Sequence, residues 1–225
     1  MRTRRTLLGE APIPGSEQIL KLYAVGGEFI IAVSGRGELM STRKHASEDA
    51  LGRLPCERLA RPDTASVLIG GLGMGFTLAA ALAATGPRAR VIVAEWVPEI
   101  VAWNEGALGT ASAHPLSDPR TTVHPGDVGD LLRDAGQRFD VIALDVDNGP
   151  EGLASDGNDW LYSPEGIACA RDRLAPGGVL AYWSATPEPR FARRLRSCAL
   201  RVDERSVFAH GSKGTRHTIW LASTR

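Results

Sequence analysis

The sequence predicts an α/β protein of three layers, in which helices cover both faces of a mostly parallel sheet and a small β element comes first. Beyond Pro62, compact apolar runs alternate with longer helical stretches, the runs lack polar alternation, and a glycine-rich turn interrupts VLIGGLGMGFTL, Val67 to Leu78. Apolar runs without alternation suit strands buried on both faces. Their alternation with helices implies right-handed βαβ crossovers.

From Leu20 to Thr42 the chain reads LKLYAVGGEFIIAVSGRGELMST, short β-prone runs split by Gly26-Gly27 and by Gly35 and Gly37. Glycines between such runs supply the positive φ of hairpin turns, so a small antiparallel element is expected within residues 1–45. The rest, 46–225, is expected to form the main domain. HASEDALGRLPCERLA predicts a linking helix with Ser47 as its cap and Leu51, Leu54 and Leu59 on one face; Pro55 predicts a break or kink. The strands expected next are SVLIG, RVIVAEW, TTVHPG, DVIALDV and GGVLAYWSA, separated by the helices FTLAAALAAT, PEIVAWNEGAL, VGDLLRDA and SPEGIACARDRL. RVDERSVFA and TRHTIWLAS then close the sheet as an antiparallel edge hairpin.

A chain of 225 residues, 43% hydrophobic, is long enough for one well-filled core. Its 26 basic and 26 acidic residues cancel, which gives no electrostatic bias toward nucleic acid or a membrane surface. The opening MRTRRTLLGEAPIPG has no apolar core of signal-peptide length, so the expected location is the cytoplasm. Cys56, Cys169 and Cys198 are far apart and form no CxxC pair, so reduced thiols are expected, with no metal site.

Gly70, Gly71, Gly73 and Gly75 fall at the carboxyl end of the first parallel strand, where doubly wound sheets bind ligands. They permit either close approach of a ligand to the backbone or merely a tight strand-to-helix turn. Glu95 ends the second strand, 20 residues after Gly75. A carboxylate there can accept both hydroxyls of a ribose, or it is a solvated strand end; Trp96 beside it reads as exposed. Asp127, after the third strand, can cap the next helix, accept an adenine amino group, or do both. The fourth strand ends in Asp145 and Asp147, a pair that can bind an amine, orient a nucleophile or raise each other's pKa, or that simply belongs to an Asp-Asn-Gly turn.

In this order the pieces, followed by RLAPGGVLAYW, resemble the Rossmann-like class I S-adenosylmethionine-dependent methyltransferase fold. LAPGG, Leu174 to Gly178, and the C-terminal hairpin separate the pattern from the nicotinamide dehydrogenases. Within that fold, the β element, the HASEDAL segment and the passage from DVIALDVDNGP to LYSPEG resemble the spermidine synthases and related aminopropyltransferases. The resemblance implies that Gly71 and Gly73 flank a donor sulfonium, Glu95 holds its ribose, Asp127 meets its adenine, and Asp145 is the catalytic aspartate that holds and deprotonates the attacking amine. It further implies an S-adenosylmethionine or decarboxylated S-adenosylmethionine donor, a small amine acceptor and a homodimer; Asp147 and Tyr162 are the candidates to meet the acceptor. Trp96 joins the donor-binding candidates.

The chain departs from the family pattern at three places. GGLGMG has Leu72 and Met74 and no acid, Asp147-Asn148 reaches Pro150 only later, and RGELMSTRKH offers no glutamine. Three functions remain open: an aminopropyl transferase whose amine recognition has moved to Asp147, Glu151 or Asp156; a methyltransferase closed by the loop NGPEGLASDGNDWLY; and a nucleoside-binding protein without chemistry. That loop is acidic and has no basic residue, which fits a cationic acceptor or a solvated lid. Trp160 and Tyr162 either line the acceptor pocket or anchor the loop. Trp183 is expected in the core, His45 and Glu48 either face the crevice or form a surface pair, with the surface pair favoured, and His210, Lys213, Arg216 and His217 are expected as solvated charges on the final turn.

Overall fold

The computed structural model describes residues 4–146, 159–211 and 214–224. A four-stranded antiparallel sheet comes first, in the order β1 (Arg5–Pro12), β2 (Ile19–Val25), β3 (Glu28–Val33) and β4 (Gly37–Ser41). The sequence announces β2 to β4 through their glycine turns. It hides β1, because Leu7 and Leu8 are exposed on an edge strand with a bulge between Leu7 and Gly9, which erases the period-two signal.

Helix α1 (Ala46–Cys56) leads to the main sheet. Two details of α1 differ from expectation. His45 occupies the cap position, and Ser47 lies inside the first turn, fully buried. Pro55 lies inside the last turn of α1, and the helix ends one residue after it.

The seven-stranded sheet has the order β10-β11-β9-β8-β5-β6-β7, comprising β5 (Ser66–Gly70), β6 (Arg90–Glu95), β7 (Thr121–Pro125), β8 (Phe139–Leu144), β9 (Leu174–Ser184), β10 (Leu200–Phe208) and β11 (Arg216–Thr224). From β7 to β9 the pairs are parallel; β11 inserts antiparallel between β9 and β10, which makes the hairpin the sheet edge. The crossover helices are α2 (Phe76–Ala83), α3 (Pro98–Glu105), α4 (Val128–Arg133), α5 (Asp159–Tyr162), α6 (Pro164–Asp172) and α7 (Pro189–Ser197). Nothing in the sequence reading anticipates α7. Its arginines mask a narrow face of Phe191, Ala192 and Leu195, which is the part it buries.

Alternate residues of each strand enter different cores. Val67, Ile69, Val141, Ala143 and Trp183 pack with α1, α2 and the first sheet, whereas Leu68, Ile142, Leu144 and Tyr182 pack with α4, α6 and α7. The order in which strands are added to the sheet reverses between β5 and β8, which pair in parallel at its middle. Their carboxyl ends therefore form the topological switch point, the place where such sheets bind ligands. The four-stranded sheet closes over this end from the α1 side. None of the described helices is long and apolar enough to cross a membrane.

Candidate active site

Packing dictates most of the glycine turn. Gly71 has φ of 90°, and a Cβ on it would run into the backbone carbonyl oxygen of Asp145. Gly75, with φ of 84°, caps α2 and lies against Asn104 and Ser112. A Cβ on Gly70 would stand 2.9 Å from Leu144 and 3.0 Å from Val128. Of the four, only Gly73 lines the cavity described below, beside the Met40 sulfur. The turn is thus built chiefly to bring β5 and β8 into contact, which places Asp145 against it: the Asp145 amide donates to Gly70 O at 2.8 Å.

Glu95 is buried, which removes the reading of a solvated strand end. One carboxylate oxygen accepts from Leu72 N at 3.0 Å and the other from Val97 N at 2.8 Å. It therefore ties the glycine turn to the end of β6. Burial pushes its pKa up, against the opposing pull of these backbone donors. The Gly73 and Trp96 amides also favour its charged form, so the carboxylate is held by the backbone of both the glycine turn and the end of β6. Trp96 is 40% exposed, as expected. Asp127 caps α4, accepting from Gly129 N at 2.9 Å.

The chemical centre is a pair of carboxylates. Thr77, at the start of α2, donates its hydroxyl to Asp145 Oδ2 at 2.9 Å and lies 3.3 Å from the backbone oxygen of Glu48. That bridge brings α1 to the end of β8. Contact between α1 and α2 is close because Gly52 has no side chain: a Cβ there would meet Thr77 O and Ala81 N. Glu48 is therefore turned inward, and the expected surface pair with His45 does not form. His45 instead stacks on Phe76 at 4.0 Å and pairs with Asp49 at 2.8 Å. Burial, reinforced by the charge of Asp145, raises Glu48 to about 7; burial raises Asp145 to about 6, opposed by the Thr77 hydroxyl.

Both carboxylates line a cavity of about 170 Å³ between the two sheets. Ile13, Val33, Leu39 and Met40 close it from the first sheet, Leu72, Met74 and Phe76 from the glycine turn, and Trp183 from β9. Gln18, from the connection between β1 and β2, supplies an amide. No Lys or Arg is among the lining residues described. Trp183 is buried in the core as expected, and its ring also lines this cavity and a second one. His217 is likewise half-buried, its Nδ1 lying 2.8 Å from Ser47 Oγ. His210 and Arg216 are exposed on the turn as expected, and Lys213 lies outside the described residues.

Tyr162 lies elsewhere. Its ring packs on Tyr182 and Phe191, at 5.8 and 5.5 Å between centroids, in the core on the opposite face of the sheet. The anchoring alternative fits that packing. Asp147, Glu151 and Asp156 fall outside the described residues, as does most of the expected loop from Asn148 to Trp160; only its end, in α5, is described. Among the described residues, no cluster of His, Cys, Asp and Glu is arranged to hold a metal ion. Cys56 is buried, and burial pushes its thiol up to about 12.

Sequence reasoning did not single out Thr77 or Gln18, read His217 as a solvated charge, and favoured a surface place for Glu48 over the crevice. Only Thr77 left a visible signal, a polar residue in the otherwise apolar helix FTLAAALA.

The strand order and the loops gathered at the switch point define the class as a Rossmann-like, class I methyltransferase-like fold. No family model and no curated protein matches the chain. Solved structures do: a spermidine synthase in complex with the transition state analogue AdoDATO is similar at a TM-score of 0.75 and 17% identity, over 98% of this chain and 73% of that one. The spermidine synthase from Thermotoga maritima is similar at a TM-score of 0.74 and 18% identity, over the same shares of the two chains. The particular fold, N-terminal sheet included, is therefore spermidine synthase-like.

Proposed function

We propose that the protein is a spermidine synthase-like transferase, moving an aminopropyl group from the sulfonium of decarboxylated S-adenosylmethionine to a small amine in polyamine chemistry. The observation that carries this reading is the Glu48 and Asp145 pair in a cavity whose described lining holds no cation. Such a site suits ammonium groups. S-adenosylmethionine itself would bring a carboxylate, which would meet two acids and no counter-charge; this ranks methyl transfer second. Glu48, arriving from α1, offers the acid that Leu72 and Met74 deny to the glycine turn. The likeness of fold supports the same chemistry.

Asp145 acts as general base in this reading. Thr77 holds Oδ2, which leaves Oδ1 to take a proton from the acceptor ammonium and aim the freed lone pair at the carbon next to sulfur. The apolar walls exclude water and restrict the approach, and alignment opposite the sulfur is the larger share of the work. Gly71, Gly73, Glu95, Trp96 and Asp127 are the proposed donor-binding residues, with Glu95 on the ribose and Asp127 on the adenine. Asp147 remains a candidate for the acceptor. A homodimer and a cytoplasmic location belong to the same proposal.

The Asp145→Asn variant tests the assignment. Turnover of the decarboxylated donor with 1,4-diaminobutane is expected to fall by roughly 10²- to 10⁴-fold, while calorimetric affinity for the donor stays within about twofold. Unchanged turnover would remove Asp145 from the reaction.

A further inference from the structure

Alkylation of an ammonium inside this cavity releases one proton. The ammonium loses H⁺ to a carboxylate, its nitrogen lone pair forms the new C–N bond, and the C–S electron pair returns to sulfur as a neutral thioether. The product amine is again cationic, so the proton left on the carboxylate pair must reach solvent before the next cycle. Thr77 provides no exit, since it is buried and its hydroxyl is turned to Asp145 and the Glu48 backbone.

Glu48 has another neighbour. Ser47 Oγ lies 2.5 Å from Glu48 Oε2 and 2.8 Å from His217 Nδ1, and Ser47 is fully buried. A serine hydroxyl has one proton and two lone pairs, so it donates to Glu48 while accepting from His217, or the reverse. His217 lines a second cavity of about 650 Å³, with Glu38, Lys44, Glu188 and Thr215. Glu48, Leu39, Met40 and Trp183 line both cavities, which therefore adjoin at Glu48.

We propose that Ser47 and His217 are the proton exit of the site, passing the proton of the Glu48 and Asp145 pair to the second cavity without opening the first. The inference rests on the transferase reading above. When Glu48 is protonated it donates to Ser47, Ser47 donates to His217 Nδ1, and the imidazolium releases its proton from Nε2 to water; the return rotation of the hydroxyl resets the chain. Groups facing His217 are Lys44 and Glu38 from the β4 side, Ser47 and Glu48 from α1, Glu188 before α7, and the Trp183 ring at 4.8 Å. Burial, then the Lys44 charge, lowers its pKa, which keeps the ring neutral and ready to accept near pH 7.

Ser47→Ala and His217→Ala test the relay. Expected are losses in kcat of roughly 10- to 100-fold for both with KM for donor and diamine unchanged, and recovery of His217→Ala, not of Ser47→Ala, on adding imidazole. Both variants must melt within a few degrees of wild type for the kinetics to count. A kcat close to wild type in either variant, or a His217→Ala loss that imidazole does not relieve, overturns the relay. A second measurement needs no turnover: the ¹⁵N shift of His217 Nδ1 is expected to move in Ser47→Ala and in Glu48→Gln. A shift indifferent to Glu48→Gln overturns the connection even in an inactive protein, whereas absent donor binding with the coupling intact defeats the transferase reading alone.

Discussion

At the residue scale, Glu48 carries a cost that can be measured. Its pKa rises from 4.5 to about 7, first through burial and then through the Asp145 charge. A carboxyl raised in the folded state binds its proton more tightly there than in the unfolded chain. Stability is therefore greatest below about pH 4.5 and falls as pH rises through about 7, by about 3 kcal/mol for a shift of this size. Glu48→Gln removes that loss. The variant is expected to melt about 5 to 10 °C above wild type at pH 8, with the gap closing at pH 4.5; an equal gap at both pH values would contradict the burial of the charge. Asp145 was legible because it ends a strand at the switch point. Glu48 was not, because an acid three residues from a histidine on a short helix is the pattern of a surface, and only the packing of a distant helix turns it inward.

Element boundaries show the same division. Strands β5, β6, β8 and β9 follow from apolar runs too continuous for a half-exposed sheet, and the glycine turn follows from its own composition. What could not be read is whatever depends on a partner: β1 pairs through a bulge with its leucines exposed, and α7 buries three residues among arginines. Gly52 is the clearest case, since an isolated glycine inside a helix reads as a weak helix former, at a cost of about 1 kcal/mol. Its role is to let α1 touch α2. Gly52→Ala is expected to destabilise the protein by about 1 to 3 kcal/mol in denaturant unfolding despite its better helix propensity. It should also lower turnover, because pushing α1 outward withdraws Glu48 from Asp145. A stabilised, fully active variant would show that the close approach is unnecessary.

For the whole molecule, acids and no described cation line the cavity between the two sheets, and the proposed choice among chemistries that share one fold rests on that lining. The glycine turn alone pointed the other way, since Leu72 and Met74 offer nothing to an ammonium. The first sheet and α1 change that balance by contributing Gln18 and Glu48 from parts of the chain remote from the turn. The sequence pattern held the fold and the place of Asp145 at the end of β8; the charge of the pocket emerged only when the sheets were brought together. Donor choice is the most direct test of this account. In parallel calorimetric titrations with S-adenosylmethionine, its decarboxylated form and methylthioadenosine, the decarboxylated donor is expected to bind at least about tenfold more tightly than S-adenosylmethionine, which corresponds to about 1.4 kcal/mol. Equal binding, or a preference for S-adenosylmethionine, would contradict it.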